Sequence, residues 1–230
     1  MTKVWLLLFL LHEVTARKLT KEENEELKEK CSVKPSVHLR VKRRQPVSNS
    51  EYPFAAALCQ RRVVYLFGEE IRQRSTPTCS GVLISSRHIL TAAHCLYADY
   101  ITSCTHGLRP PRLSAQNVGI FLSSRCRKSE CWFKEKMFEP TSVVMHPSYE
   151  DCMRNGIFDI GVVELNEDVD TVPICMPETK SAFSNHEKLE SIGYGNVDEQ
   201  RALQSVSYHH VGEGEDIFAY NMTLENDLAQ

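Results

Sequence analysis

The sequence predicts an all-β chain built on antiparallel barrel architecture, and three observations carry that prediction. Apolar runs of strand length recur between Phe54 and Leu165, polar turns separate them, and few segments carry a helix pattern. A length of 230 residues is enough for one large all-β domain or two small ones. The balance of 27 basic against 30 acidic residues gives no pull toward nucleic acid or an anionic membrane.

The N-terminus explains the cysteine content. Lys3 precedes an apolar run from Val4 to Leu11, and Val14-Thr15-Ala16 offers the small residues at which a signal peptidase cuts. The run is too short to span a bilayer, so residues 1–16 read as a secretory signal peptide. An oxidising compartment then makes most of the nine cysteines disulfide partners, and the odd count leaves at least one without an intrachain partner. Residues 17–44 form a leader. Within it Thr20 followed by Glu23 is a capping-box pattern, with acidic residues leading and lysines trailing through Lys30. Only Leu19 and Leu27 are apolar there, which predicts a short solvated helix with a propeptide-like role. The basic cluster Arg40-Val41-Lys42-Arg43-Arg44 follows, read either as an exposed loop or as a processing site using Arg40 and Arg43.

The strands then come in order. Phe54–Leu58 and Val63–Phe67 are apolar runs bounded by Arg61-Arg62 and by Gly68-Glu69-Glu70. Val82–Ile84 and His88–Leu90 are joined by the polar turn Ser85-Ser86-Arg87. Asn117–Leu122, Thr141–Pro147 and Ile160–Leu165 supply further strands. Two inserts, Tyr100 to Leu113 and Ser123 to Phe138, read as charged or cysteine-bearing surface loops clipped by disulfides. Zinc is the competing reading for Cys104-x-His106 and for Cys126 with Cys131. Neither has a second ligand pair at suitable spacing, so no metal and no cofactor are expected.

Two segments carry the chemistry. In Thr91-Ala92-Ala93-His94-Cys95 a histidine stands directly beside a cysteine. A bridge from Cys79 to Cys95 would pin His94 at the base of a closed loop, as a general base held in one position requires. The alternative is a buried histidine next to a structural disulfide. In Phe158-Asp159-Ile160-Gly161-Val162-Val163-Glu164-Leu165 an aspartate sits at the mouth of an apolar strand, where taken alone it would be a turn residue.

Read together and in this order, the two segments resemble the histidine and aspartate segments of the trypsin-like serine peptidases. The resemblance runs over residues of about 40–210 and implies a double antiparallel β-barrel, the first complete over 45–170 and the second, in 171–230, truncated. It implies that His94 is the catalytic base and that Asp159 accepts the imidazole's other N–H. The two are 65 positions apart, longer than is usual in that family. Val172-Pro173-Ile174-Cys175 resembles the interbarrel linker, which implies a Cys31–Cys175 bridge, and Gly193-Tyr194-Gly195 resembles the opening of the second barrel. The Thr91–Cys95 segment carries the implied Cys79–Cys95 bridge. Arg40–Val41 corresponds to the zymogen activation bond, but Lys42, Arg43 and Arg44 stand where the family has small residues, and burying three charges would cost several kcal/mol each. The leader and the extra cysteines look similar to a divergent, nematode-type subfamily.

The family's Gly-Asp-Ser-Gly-Gly nucleophile segment does not occur in the sequence. Ser205 and Ser207 lie on a predicted strand without the glycine-rich turn of an oxyanion hole. The expectation is therefore a secreted, extracellular serine endopeptidase by resemblance, acting on protein or peptide substrates, in a truncated or inactive form. The alternative is a non-catalytic pseudopeptidase that binds a protein partner. A disulfide-rich structural module would explain the cysteines but not the ordered motifs. Asn221-Met222-Thr223 is an N-glycosylation sequon, accessible if it lies on a loop.

Overall fold

The computed structural model describes residues 16–31, 45–46, 52–126, 129–152, 158–176, 188–197, 200–213 and 218–222. The signal-peptide run and the basic cluster with Arg40 and Arg43 lie outside the described residues, apart from Ala16. Helix α1 (Lys21–Lys30) opens the described chain. Its capping box is formed, since Thr20 Oγ1 accepts from the Glu23 N–H and the Glu23 carboxylate accepts from the Thr20 N–H.

Strand β1 (Gln45–Pro46) is followed by β2 (Ala55–Leu66), around which the first barrel is organised. Ala55, Ala56 and Ala57 are buried, and their small side chains sit where β2 is paired on both edges. Strand β3 (Glu69–Arg74) extends β2 as a hairpin, followed by β4 (Cys79–Leu83), β5 (His88–Thr91), β6 (Val118–Leu122), β7 (Pro140–Met145) and β8 (Gly161–Leu165). The ladders run β2 with β4, β4 with β5, β5 with β8 and β8 with β7, while β6 pairs the other edge of β2. Ile120 and Phe138 exchange both backbone hydrogen bonds, 3.0 and 2.8 Å, which ties β6 to the segment entering β7 and closes the ring. Leu83, Ile89, Ile120, Val163 and Leu165 fill its interior.

One expectation about this region changes. Arg61-Arg62 do not end a strand, and β2 runs through them without a break. The Arg61 guanidinium, 6% exposed, lies 2.9 Å from the Glu139 carboxylate, so the charge is paired rather than solvated. The true reversal is at Phe67-Gly68, both with positive φ (52° and 85°), a two-residue hairpin loop of the kind glycine favours. Beyond it Glu69-Glu70, expected to be a boundary, begins β3.

The two inserts are more than surface loops. The first forms α2 (Tyr100–Thr105), joined to the loop before β8 by the Cys104–Cys152 disulfide. The second forms α3 (Ser129–Lys134), closed by Cys126–Cys131, and it buries Trp132 to 1% exposure against Phe121. An insert is free to vary in length, but an indole of this size finds an apolar site wherever the barrel leaves one.

The second sheet contains β9 (Lys188–Val197), β10 (Gln200–Glu213) and β11 (Phe218–Met222), with β1 on the same edge of β10 as β11. Gln45–Pro46, expected within the first barrel, thus pairs with Gln204 and Ser205 instead. Tyr194 joins the two sheets: its N–H donates to Ser80 Oγ (2.8 Å), its hydroxyl to the Ser124 carbonyl (3.1 Å), and its ring meets Trp132 edge-on. Burial pushes the Tyr194 phenol well above its ordinary range. All nine cysteines are described, and the odd one is Cys59, buried on β2 beside Gly119. Packed there, it behaves as a small core residue. Burial pushes its thiol up to about 11.

Candidate active site

The site begins with the residues after β5. Ala93–Leu96 form a single 3-10 turn, in which positions three apart share a face. Ala93 and Leu96 are that shared face and are fully buried, which turns His94 and Cys95 outward. Cys95 is bonded to Cys79 on β4, so the turn is held to the strand two ladders away from β8. Gly161, first residue of β8, lets the turn come close: a Cβ there would lie 2.7 Å from Leu96 Cδ1 and 3.1 Å from the Val144 carbonyl oxygen.

Asp159 precedes β8 on the other side of that contact. Its Oδ2 is 2.7 Å from His94 Nδ1, and its Oδ1 accepts the His94 backbone N–H at 2.8 Å. The carboxylate thereby sets both the ring and the backbone of the histidine. With Nδ1–H donated to Asp159, Nε2 keeps its lone pair, the tautomer a general base needs. Nε2 lies 3.5 Å from Cys95 Sγ, and the ring is 41% exposed, so it can be approached from solvent. Among the described residues no serine hydroxyl hydrogen-bonds this ring.

Residues missed in the sequence build the wall beside it. The Tyr100 ring, on α2, lies 5.5 Å from the His94 ring. Its hydroxyl accepts from Tyr149 Oη (2.9 Å) and from the Cys152 N–H (3.0 Å), while Tyr97 packs against both tyrosines. Burial first, then the bond to Tyr100, pushes the Tyr149 phenol far above its ordinary range, so it stays a neutral donor. Phe158, immediately before Asp159, adopts a positive φ of 60° and stacks on His146 at 4.6 Å. An aromatic-rich sequence around a cysteine-bearing insert was the available signal for this cluster.

Cys31–Cys175 is present as a disulfide and ties the end of α1 to the segment leaving the first barrel. Asn221 lies on β11, paired with His209, rather than on a loop. Ser205 and Ser207 lie on β10. Two clusters bring metal-ligand types together, Cys79 with His94 and Cys95, and Cys126 with Cys131 and Glu135. In both the sulfurs are oxidised to disulfides, which removes the thiolates a metal would need. Cys104 is likewise bonded, and His106 Nδ1 is 2.8 Å from the Thr102 carbonyl.

Comparison with known proteins agrees with this geometry. The family described as Trypsin matches residues 69–229. Among curated proteins, phenoloxidase-activating factor 1 of Holotrichia diomphalia is 25% identical over 132 residues, covering 52% of this chain and 34% of that protein. Serine protease 7 of Drosophila melanogaster is 28% identical over 135 residues, 55% of this chain and 33% of its own length. Complement factor I of Rattus norvegicus is 26% identical over 199 residues, 79% of this chain and 27% of its own length. The chain thus spans about a third or less of these relatives. A solved structure of the Vibrio cholerae VesB protease matches with a TM-score of 0.52 at 21% identity, covering 75% of this chain and 45% of that one, a likeness of fold. With an all-β fold, a histidine and aspartate in mutual contact, and the family match spanning more than half its residues, this chain belongs to the trypsin family of serine proteases.

Proposed function

We propose that the chain carries the base and orienting acid of a secreted trypsin-like endopeptidase, with His94 removing the proton from an attacking serine and Asp159 stabilising the imidazolium that forms. The observation that carries this reading is the double contact of Asp159 with His94, at 2.7 Å to the ring and 2.8 Å to the backbone. In this reading 1–16 is a signal peptide, 17–44 a zymogen leader tethered through Cys31–Cys175, 45–170 the barrel that presents the base and acid, and 171–230 the linker and part of the second barrel. Four disulfides favour an oxidising, extracellular setting. Protein or peptide chains are the substrate class.

The sequence contains no Gly-Asp-Ser-Gly-Gly run, so the 230-residue polypeptide by itself is proposed to be inactive. A His–Asp pair without its nucleophile retains little of the family's rate enhancement. One observation favours a second reading, a partner-binding pseudopeptidase: Lys42, Arg43 and Arg44 stand where an inserted N-terminus would be apolar.

The test is the intact mass of the protein from its own source, with fluorophosphonate labelling of the same sample. A labelled serine in a Gly-Asp-Ser-Gly-Gly peptide supports the endopeptidase. Labelling of a serine within the 230 residues would refute the assignment of inactivity, and a labelling-free protein with that mass would favour the pseudopeptidase.

A further inference from the structure

The leader meets the barrel through one unusual contact. Glu164 on β8 faces the outside of the barrel, yet it is only 7% exposed because residues 16–19 and α1 lie over that face. Its Oε2 accepts the backbone N–H of Arg17 at 2.8 Å, and the Ser142 hydroxyl at 3.3 Å. Among the described residues Glu164 makes no ion pair. A buried carboxylate held by two neutral donors is undercompensated, because a charge taken out of water needs an opposite charge beside it.

The donor at 2.8 Å is the nitrogen of the residue that follows Ala16. We propose that Glu164 is the docking site for the chain's own new N-terminus: once the Ala16–Arg17 bond is cut, the Arg17 α-ammonium pairs with the Glu164 carboxylate and locks the leader onto the first barrel. The step is a hydrolysis by a signal peptidase. Water adds across the amide, its oxygen leaves on the Ala16 carboxylate of the released fragment, and the Arg17 nitrogen takes up protons to become an ammonium. A neutral amide donor is thereby replaced, in place, by a charge-assisted one.

The surroundings fit a cation at that point. The Arg17 guanidinium turns away to the Glu23 carboxylate on α1, leaving its backbone nitrogen to Glu164. Arg87, within electrostatic reach of Glu164, is engaged at both Asp168 oxygens, 2.7 and 2.8 Å. His88, the cross-strand neighbour of Glu164 on β5, has its Nδ1 2.7 Å from Ser85 Oγ, and among the described residues its buried Nε2 has no partner. The charged and titratable groups around the new terminus include Glu164 on β8, His88 and Arg87 at the β5 end, Asp168 beyond β8, Glu23 and Lys28 on α1, and the adjoining Lys18. Cys31–Cys175 would then fasten one end of the leader covalently and the ammonium would fasten the other.

This inference rests on the signal-peptide part of the proposed function, and its test separates the two. The protein secreted from eukaryotic cells is sequenced from its N-terminus and then acylated at pH 7, following the α-amine by mass spectrometry. The expected first residue is Arg17, with an α-amine that reacts about tenfold or more slowly than in Glu164→Gln. A second pair carries Gly-Ser before Arg17, and in that background Glu164→Gln should lower the unfolding midpoint less than it does behind a free Arg17. If Glu164→Gln is not secreted, the wild-type acylation rate is compared with that in urea, and the folded protein should be the slower one. A first residue other than Arg17 overturns both the signal-peptide reading and this inference. Arg17 at the terminus with an unprotected amine, or with additive effects of extension and substitution, overturns this inference alone.

Discussion

Asp159 grips His94 at two points, the ring Nδ1 through one carboxylate oxygen and the backbone N–H through the other, at 2.7 and 2.8 Å. A carboxylate used in this way fixes where the imidazole sits as well as which nitrogen carries its proton. Everything else near the site, from the buried face of the Ala93–Leu96 turn to the close approach at Gly161, serves to bring these two residues into register.

Replacing Asp159 by Asn keeps the shape but favours the wrong tautomer, because an amide can donate to Nδ1. In the peptidase bearing a complete triad, Asp159→Asn should lower kcat by about 10^4-fold. In the present chain nitrogen-15 NMR of His94 should show the proton moving from Nδ1 to Nε2. A variant that keeps the Nδ1–H signal would remove the tautomer argument.

Gly161→Ala tests the approach between turn and strand. The added Cβ would stand 2.7 Å from Leu96 Cδ1 and 3.1 Å from the Val144 oxygen, so the turn must move away. A loss of about 1–3 kcal/mol in denaturant unfolding is expected, with disturbance of the His94 ring signals. Unchanged stability and unchanged signals would mean that glycine is not needed there.

The Cys104–Cys152 bridge holds α2, and with it Tyr100, against the site. Cys104→Ser with Cys152→Ser should destabilise the protein by about 2–4 kcal/mol and speed amide exchange across Tyr100–Thr105. Exchange rates equal to those of the parent would show that the tyrosine cluster alone suffices.

Hydrogen bonds from Arg87, then Ser86, hold the Asp168 carboxyl down at about 2. Its charged form is favoured by the fold, so that contribution is present above the unfolded-state value of about 3.9 and is lost as pH falls through about 2. Asp168 is well exposed, so the pair contributes at most about 1 kcal/mol at neutral pH. In Arg87→Ala, carbon-13 titration should show the Asp168 midpoint rising toward the ordinary range, with Ser86 still holding it somewhat down; no movement would contradict the assignment.

Cys59 shows the opposite sign. Burial raises its thiol to about 11 from 9.0, so the neutral form is favoured by the fold. Its contribution is full below the unfolded value and disappears as pH rises from about 9 to about 11. The thiol should resist iodoacetamide at pH 8 in the native protein and react once urea unfolds it. Rapid native-state labelling would mean that the packing over Cys59 on β2 opens.

Much of the barrel was readable because its strands are short apolar runs between polar turns. Val118–Leu122 and Gly161–Leu165 fall within a residue of their expected limits. Arg61-Arg62 misled, since a local reading treats arginine as solvated and Glu139 is far away in sequence. The inserts were under-read for the same reason. Trp132 gives no sign of what it will pack on, and the placement of Tyr100 depends on a disulfide whose partner, Cys152, nothing local identifies.

By itself the sequence determined the all-β class, the order of the barrel strands, and the two segments carrying His94 and Asp159, because strand periodicity and motif order are local properties of a chain. The tertiary structure decided the rest: the Cys104–Cys152 and Cys126–Cys131 pairings, that Tyr100 lines the site, that Cys59 is a core residue, and that Arg17 meets Glu164. Each of these joins residues from distant parts of the chain, and such contacts exist only once the barrel has closed and excluded water between them.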